Sequence, residues 1–200
     1  MIGLNSSLGK AAIEHYYIGI AAVSEIPSSR LSDIAKEFVE TLSPYKEKIK
    51  FVLGGYWGLM KTIAINALNH GFHVIFILPE EPAEEPPRRK NSTIIRTELG
   101  YKTRSIILVK TSDILVCLGG RIGSIIEVML AYGFEKPTII VKNTGLDTDN
   151  LVKAFPTTID ERRLAKLYYV ENGVEAARKI LELINIVGPT LSHKSLTGTG

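Results

Sequence analysis

Short apolar runs alternate along the chain with stretches in which apolar residues recur at helical spacing. Tyr17–Val23, Ile49–Leu53, Phe72–Leu78, Thr93–Arg96, Ile114–Leu118 and Pro137–Lys142 have strand length and turn residues at their ends, so each reads as a β-strand. Between the first two, Leu31, Ile34, Ala35, Phe38, Val39 and Leu42 fall on one helical face, which Pro44 ends. Further helices are expected over Trp57–Asn69, which Gly71 stops, over Thr103–Thr111 and over Ile122–Tyr132. Asn172 and Glu175 have the spacing of a capping box, opening a helix with Val174, Ala177, Ile180, Leu181 and Ile184 on one face.

Mostly apolar strands alternating with helices predict an α/β fold: one Rossmann-like, doubly wound parallel sheet with helices on both faces. The domain is expected over residues 17–187. An arm or short helix over 1–16 precedes it and a flexible, glycine-rich tail over 188–200 follows. Pro79–Lys90, with four prolines and dense charge, reads as an exposed excursion.

Composition narrows the class. With 200 residues, 45% of them hydrophobic, the chain can bury one substantial core. Its apolar runs are too short to span a bilayer, so no membrane partner is expected. No leader-like basic and apolar opening is present, and Cys117, the one cysteine, falls in a predicted buried strand; a reducing cytoplasm is the expected location. The four histidines are scattered without ligand spacing, and no metal site is expected. A net charge of +3 spread among acidic residues argues against a nucleic-acid partner, apart from the cluster Arg88-Arg89-Lys90.

The chemistry concentrates in two glycine turns that run from strand into helix. Gly54-Gly55-Tyr56-Trp57-Gly58-Leu59-Met60 follows the second strand, and Gly119-Gly120-Arg121-Ile122-Gly123-Ser124 follows the fifth, with Glu127 one turn further on. Helix N-termini present unpaired amides and a positive dipole end, so two of them at the carboxyl ends of parallel strands suit a phosphate.

In these turns the chain resembles the LOG-type family of Rossmann-like proteins, often mislabelled "lysine decarboxylase-like". Wider relatives of that family include molybdenum-cofactor carrier proteins and the nucleotide-binding domain of a DNA-processing protein. Gly54–Met60 matches a G-G-x-x-G-L-M turn. Arg104 stands at the family's helix arginine and Asp113 at its aspartate before the next strand. Gly120, Gly123, Ser124 and Glu127 fit a P-G-G-x-G-T-x-x-E turn.

The resemblance implies a pocket for a nucleoside monophosphate formed by Gly54, Gly55, Gly58, Leu59, Met60, Gly119, Gly120, Arg121, Gly123 and Ser124. Within it, the amides of Gly120 and Gly123 and the Ser124 hydroxyl would hold phosphate. Glu127, with Arg104 as its partner, would be the catalytic carboxylate of a phosphoribohydrolase that cleaves the N-glycosidic bond. No cofactor would be required. The alternative is a non-catalytic carrier or sensor of a nucleotide or a phosphorylated, molybdopterin-type pterin. The family also implies a homodimer or higher homo-oligomer, for which the helices around Trp57 and Met129–Tyr132 offer apolar surface.

The chain departs from the pattern at Gly119 (for proline), Arg121 (for the second glycine) and Ser124 (for threonine). Leu53 and Lys61 replace flanking glycines, and Ala22-Val23-Ser24 replaces a Gly-Ser strand end. Arg121 either clamps the phosphate or obstructs the pocket. Trp57 either stacks on a base or packs against protein.

Overall fold

The computed structural model describes residues 15–184. The expected tail, and all but the last two residues of the expected arm, lie outside them. Strands β1 (Tyr16–Ala21), β2 (Ile49–Leu53), β3 (His73–Leu78), β4 (Ser92–Arg96), β5 (Ile114–Cys117), β6 (Thr138–Val141) and β7 (Leu167–Val170) form one sheet in the order β4-β3-β2-β1-β5-β6-β7. Every pairing is parallel. The helices are α1 (Ser29–Leu42), α2 (Gly58–Asn69), α3 (Tyr101–Thr111), α4 (Ile122–Gly133), α5 (Leu151–Ala154) and α6 (Gly173–Leu183).

Alternation along the central strands sorts the core into two layers. Ile18, Ile20, Phe51, Val116 and Ile139 face α1, α2 and α6. Ala21, Val52, Leu115, Cys117 and Ile140 face α3, α4 and α5. The six positions spaced along α1 are its buried residues. The doubly wound expectation is therefore met.

Two elements were not foreseen. Strand β7 and the short α5 lie in the largely polar stretch between Lys142 and Asn172, where only the four-residue run Leu167-Tyr168-Tyr169-Val170 announces a strand. β7 is a four-residue edge strand whose middle residues, Tyr168 and Tyr169, are half-exposed. Elsewhere the ends move by one or two residues, with a physical reason at β1. It stops at Ala21, before Val23, because the Val23 amide turns out of the ladder and donates to the Gly119 carbonyl at 2.9 Å. Asp113 is also explained: its carboxylate accepts from the Tyr17 amide at 2.8 Å and its own amide donates to the Tyr17 carbonyl at 2.7 Å, tying the starts of β1 and β5 together.

The chain leaves β1 in one direction to build β2–β4 and returns on its other side to build β5–β7. The carboxyl ends of β1, β2 and β5 thus meet at the switch point of the sheet, where open α/β sheets bind ligands.

Candidate functional site

Val23 stitches the two glycine turns together. Its amide binds Gly119 and its carbonyl accepts from the Leu59 amide at 3.0 Å. Gly58 completes the join with φ +55°, in the left-handed region, and a Cβ there would strike the backbone of Ser24. The second turn is also held from behind. Gly120 donates its amide to the Thr148 hydroxyl at 3.0 Å and accepts from the Thr148 amide at 3.1 Å. The Gly120 amide, expected to hold phosphate, is thus already engaged, and amide donation falls to the first turn of α4.

That turn is free to donate. Ser28 caps α1 and Asn172 caps α6, but α2, α3 and α4 have no side-chain cap. Those are the three helices whose N-terminal ends rim a cleft of about 460 Å³. An uncapped N-terminus leaves backbone donors and a positive dipole end for a guest, although in α2 the Leu59 amide is already taken by Val23.

Of the residues singled out in the sequence, Trp57, Met60, Arg104, Arg121, Gly123, Ser124 and Glu127 line this cleft. Gly54, Gly55, Gly58, Leu59, Gly119 and Gly120 do not; they shape it from beneath. Leu59 is a core residue. At Gly55 a Cβ would meet the Trp57 indole, which stands edge-on to Tyr101 with ring centroids 6.0 Å apart. These two rings form one wall. Ala83 adds another piece, so the Pro79–Lys90 segment borders the cleft. Tyr101 donates its hydroxyl to the Glu81 carbonyl at 2.8 Å, and Lys61 and Arg96 pair with Glu84 and Glu85. Arg89 donates to Asn69 and is not among the cleft-lining residues.

At the base of the cleft the structure brings Arg104 and Glu127 together. A guanidinium nitrogen lies 3.4 Å from Glu127 Oε1, with Arg104 5% and Glu127 7% exposed. Ser105 donates its hydroxyl to the same oxygen at 2.8 Å. Burial pushes the Glu127 carboxyl above the usual carboxylate range, against the opposing pull of Arg104 and Ser105. Burial also pushes Arg104 down, opposed by Glu127 and Tyr101. Dehydration thus opposes the charge on both partners, and the long separation leaves the attraction weaker than in a close charge-assisted pair. The Arg104 Nε is buried without a hydrogen-bond partner. Gly54 makes room for this guanidinium, since a Cβ there would overlap it.

Arg121 neither covers the α4 N-terminus nor fills the cleft. Its side chain turns outward to Glu25, with Nε 3.0 Å from the carboxylate and both side chains 57% exposed. Ser105, Tyr101 and Thr148 carry roles that the sequence reading missed. A serine inside a helix, where it competes with the backbone, was the one available signal for Ser105.

On the outer side of α4, Ile122, Ile125, Ile126, Met129, Leu130, Gly133 and Phe134 line an apolar groove of about 470 Å³. Tyr132, expected on that surface, points inward instead and donates its hydroxyl to Asp160 at 2.6 Å. Among the described residues, no helix is long and apolar enough to cross a membrane.

Similarity to solved structures follows the same frame. The X-ray structure of TM1055, a structural-genomics target, superposes with TM-score 0.73 at 29% identity, covering 84% of this chain and 99% of that one. The molybdenum cofactor binding protein from the phototrophic bacterium Rippkaea orientalis gives 0.68 at 19% identity, covering 87% and 99%. The molybdenum cofactor carrier protein from Chlamydomonas reinhardtii gives 0.67 at 19% identity, covering 86% and 99%. No curated protein gives a significant match. Residues 15–177 match the SLOG cluster4 family, and with most of the chain inside that match, the protein belongs to the SLOG cluster4 family.

Proposed function

We propose that the cleft binds a nucleoside monophosphate, with phosphate on the first-turn amides of α4 and the base toward Trp57 and Tyr101. Glu127 is then the acid–base group of N-glycosidic cleavage, and Arg104 is its partner. The observation that carries this reading is the buried Arg104–Glu127 pair at the base of a cleft rimmed by three uncapped helices. A carboxyl raised by burial is suited to take a proton from an attacking water, whose oxygen bonds to the sugar carbon, and to return it to the departing nitrogen. A carboxylate also stabilises the positive charge that grows on the sugar as the bond breaks.

The second reading is a carrier of a phosphorylated pterin or nucleotide, without turnover. The Glu25–Arg121 pair favours it, because a neutralised arginine at the rim is a departure from the family's catalytic turn. Two of the similar structures, a molybdenum cofactor binding protein and a molybdenum cofactor carrier protein, are in keeping with it.

Two measurements on the purified protein separate the readings. A ligand at a hundredfold its dissociation constant adds about 2.7 kcal/mol of stability, roughly 5–11 °C in melting temperature for a domain of this size. Adenosine and guanosine monophosphates are the expected stabilisers, with free base released by the wild type and lost in Glu127→Gln. A thermal shift without base release selects the carrier reading. No shift with any nucleotide or pterin phosphate ends both. Self-association through the apolar face of α4 belongs to the same proposal, since a helix apolar on its outer face is normally covered.

A further inference from the structure

The two oxygens of Glu127 are not equivalent. Oε1 accepts from Ser105 at 2.8 Å and faces the Arg104 guanidinium at 3.4 Å. Oε2 has no partner among the described residues, and it is not one of the buried side-chain atoms left without a hydrogen bond. An oxygen that is neither bonded nor sealed is open to the cleft that Glu127 lines. Resting on the reading of Glu127 as the acid–base group, we propose that Ser105 is a positioning residue. With Arg104 it fixes Oε1 and leaves Oε2 as the one oxygen that exchanges a proton with the bound ligand and its water.

The geometry supports this in both protonation states. Ionised, Glu127 accepts the Ser105 proton on Oε1. With its own proton on Oε2, Glu127 keeps Oε1 as a carbonyl-type acceptor, and the same bond persists. The carboxyl therefore need not rotate between taking and giving a proton, which preserves a reacting distance that catalysis tolerates poorly if it changes. Ser105 is itself anchored: it lies on α3 at 6% exposure, and its one other acceptor among the described residues is the Tyr101 carbonyl one turn back, at 3.2 Å. The shorter bond takes the proton.

Few charges compete for control of this carboxyl. From α3 it meets Arg104, whose own field includes Tyr101. From β5 the nearby Cys117 thiol is pushed by burial up to about 12 and stays neutral. Lys102 and Arg121 line the same cleft, and Arg121 is paired with Glu25. The segment after β1 and the start of α2 present only Ala22, Val23, Ser24, Trp57 and Met60 to the cleft.

The test is a carbon-13 titration of the Glu127 side-chain carboxyl in the full chain, its resonance assigned by its disappearance in Glu127→Gln. Ser105→Ala removes a donor that favours the ionised form, so the midpoint should rise by about one pH unit, the equivalent of one ordinary hydrogen bond. Ser105→Thr keeps the hydroxyl and should titrate with the wild type. If Ser105→Ala fails to fold, Ser105→Cys, a weaker donor, should give an intermediate rise. A midpoint unchanged in Ser105→Ala or Ser105→Cys overturns the proposal. The titration needs neither ligand nor turnover: a raised midpoint without base release removes the acid–base reading and leaves only the hold of Ser105 on Oε1, whereas a flat titration removes Ser105 even where base is released.

Discussion

Gly54 and Arg104 lie fifty residues apart, yet each explains the other. The first glycine of the turn is required because a guanidinium occupies the space a side chain would take. Gly54→Ala must displace Arg104 from Glu127, and overpacking of this kind costs about 1–3 kcal/mol. Urea denaturation should show that loss, with nucleotide-induced stabilisation lost as well. The pairing of Arg104 with Glu127 was legible because two motifs kept a common register. The outward turn of Arg121 was not, since its partner Glu25 is ninety-six residues away and no local spacing encodes the contact. Ser105 was hidden for a similar reason: adjacent helix positions diverge in direction, so only the packing of α3 on α4 shows that Arg104 and Ser105 reach one carboxylate.

Helix termini divide into two kinds. Ser28 accepts from the Leu31 amide at 3.3 Å and Asn172 from the Glu175 amide at 2.9 Å. The Glu175 carboxylate reaches back to the Glu171 amide, one residue before the position a standard capping box uses. Asn172→Ala should therefore cost about 1 kcal/mol of global stability while leaving the ligand-induced thermal shift unchanged. Periodicity disclosed α1, α2, α4 and α6 because each has a buried face set by repeating apolar positions. It could not disclose β7, where an edge strand needs only one face covered and its tyrosines serve water and core alike. Nor could it show that Thr148, in the short 3-10 helix Asp147–Asn150 after β6, supports the turn before α4, because that contact exists only once the sheet has formed.

For the molecule as a whole, the raised Glu127 carboxyl makes stability depend on pH. A folded value above the unfolded one means that the folded state keeps a proton the unfolded chain has already released, so this group's contribution declines as pH rises. The window opens at the ordinary glutamate value of about 4.3 and closes at the higher folded value. Stability measured by chemical denaturation should fall more steeply across it in the wild type than in Glu127→Gln; equal slopes would show that the carboxyl titrates normally. The strand order has a second consequence. The chain up to Thr111 supplies one half of the sheet and one side of the cleft, and the chain from Ile114 supplies the rest, with Val23 bridging both turns. A ligand seated there would act as a further clasp between the two halves, added to the packing of α6 on α1 and of α4 on α3. Its presence should suppress partial opening of either half, slowing amide exchange on β6 and β3 alike, strands that no bound molecule touches.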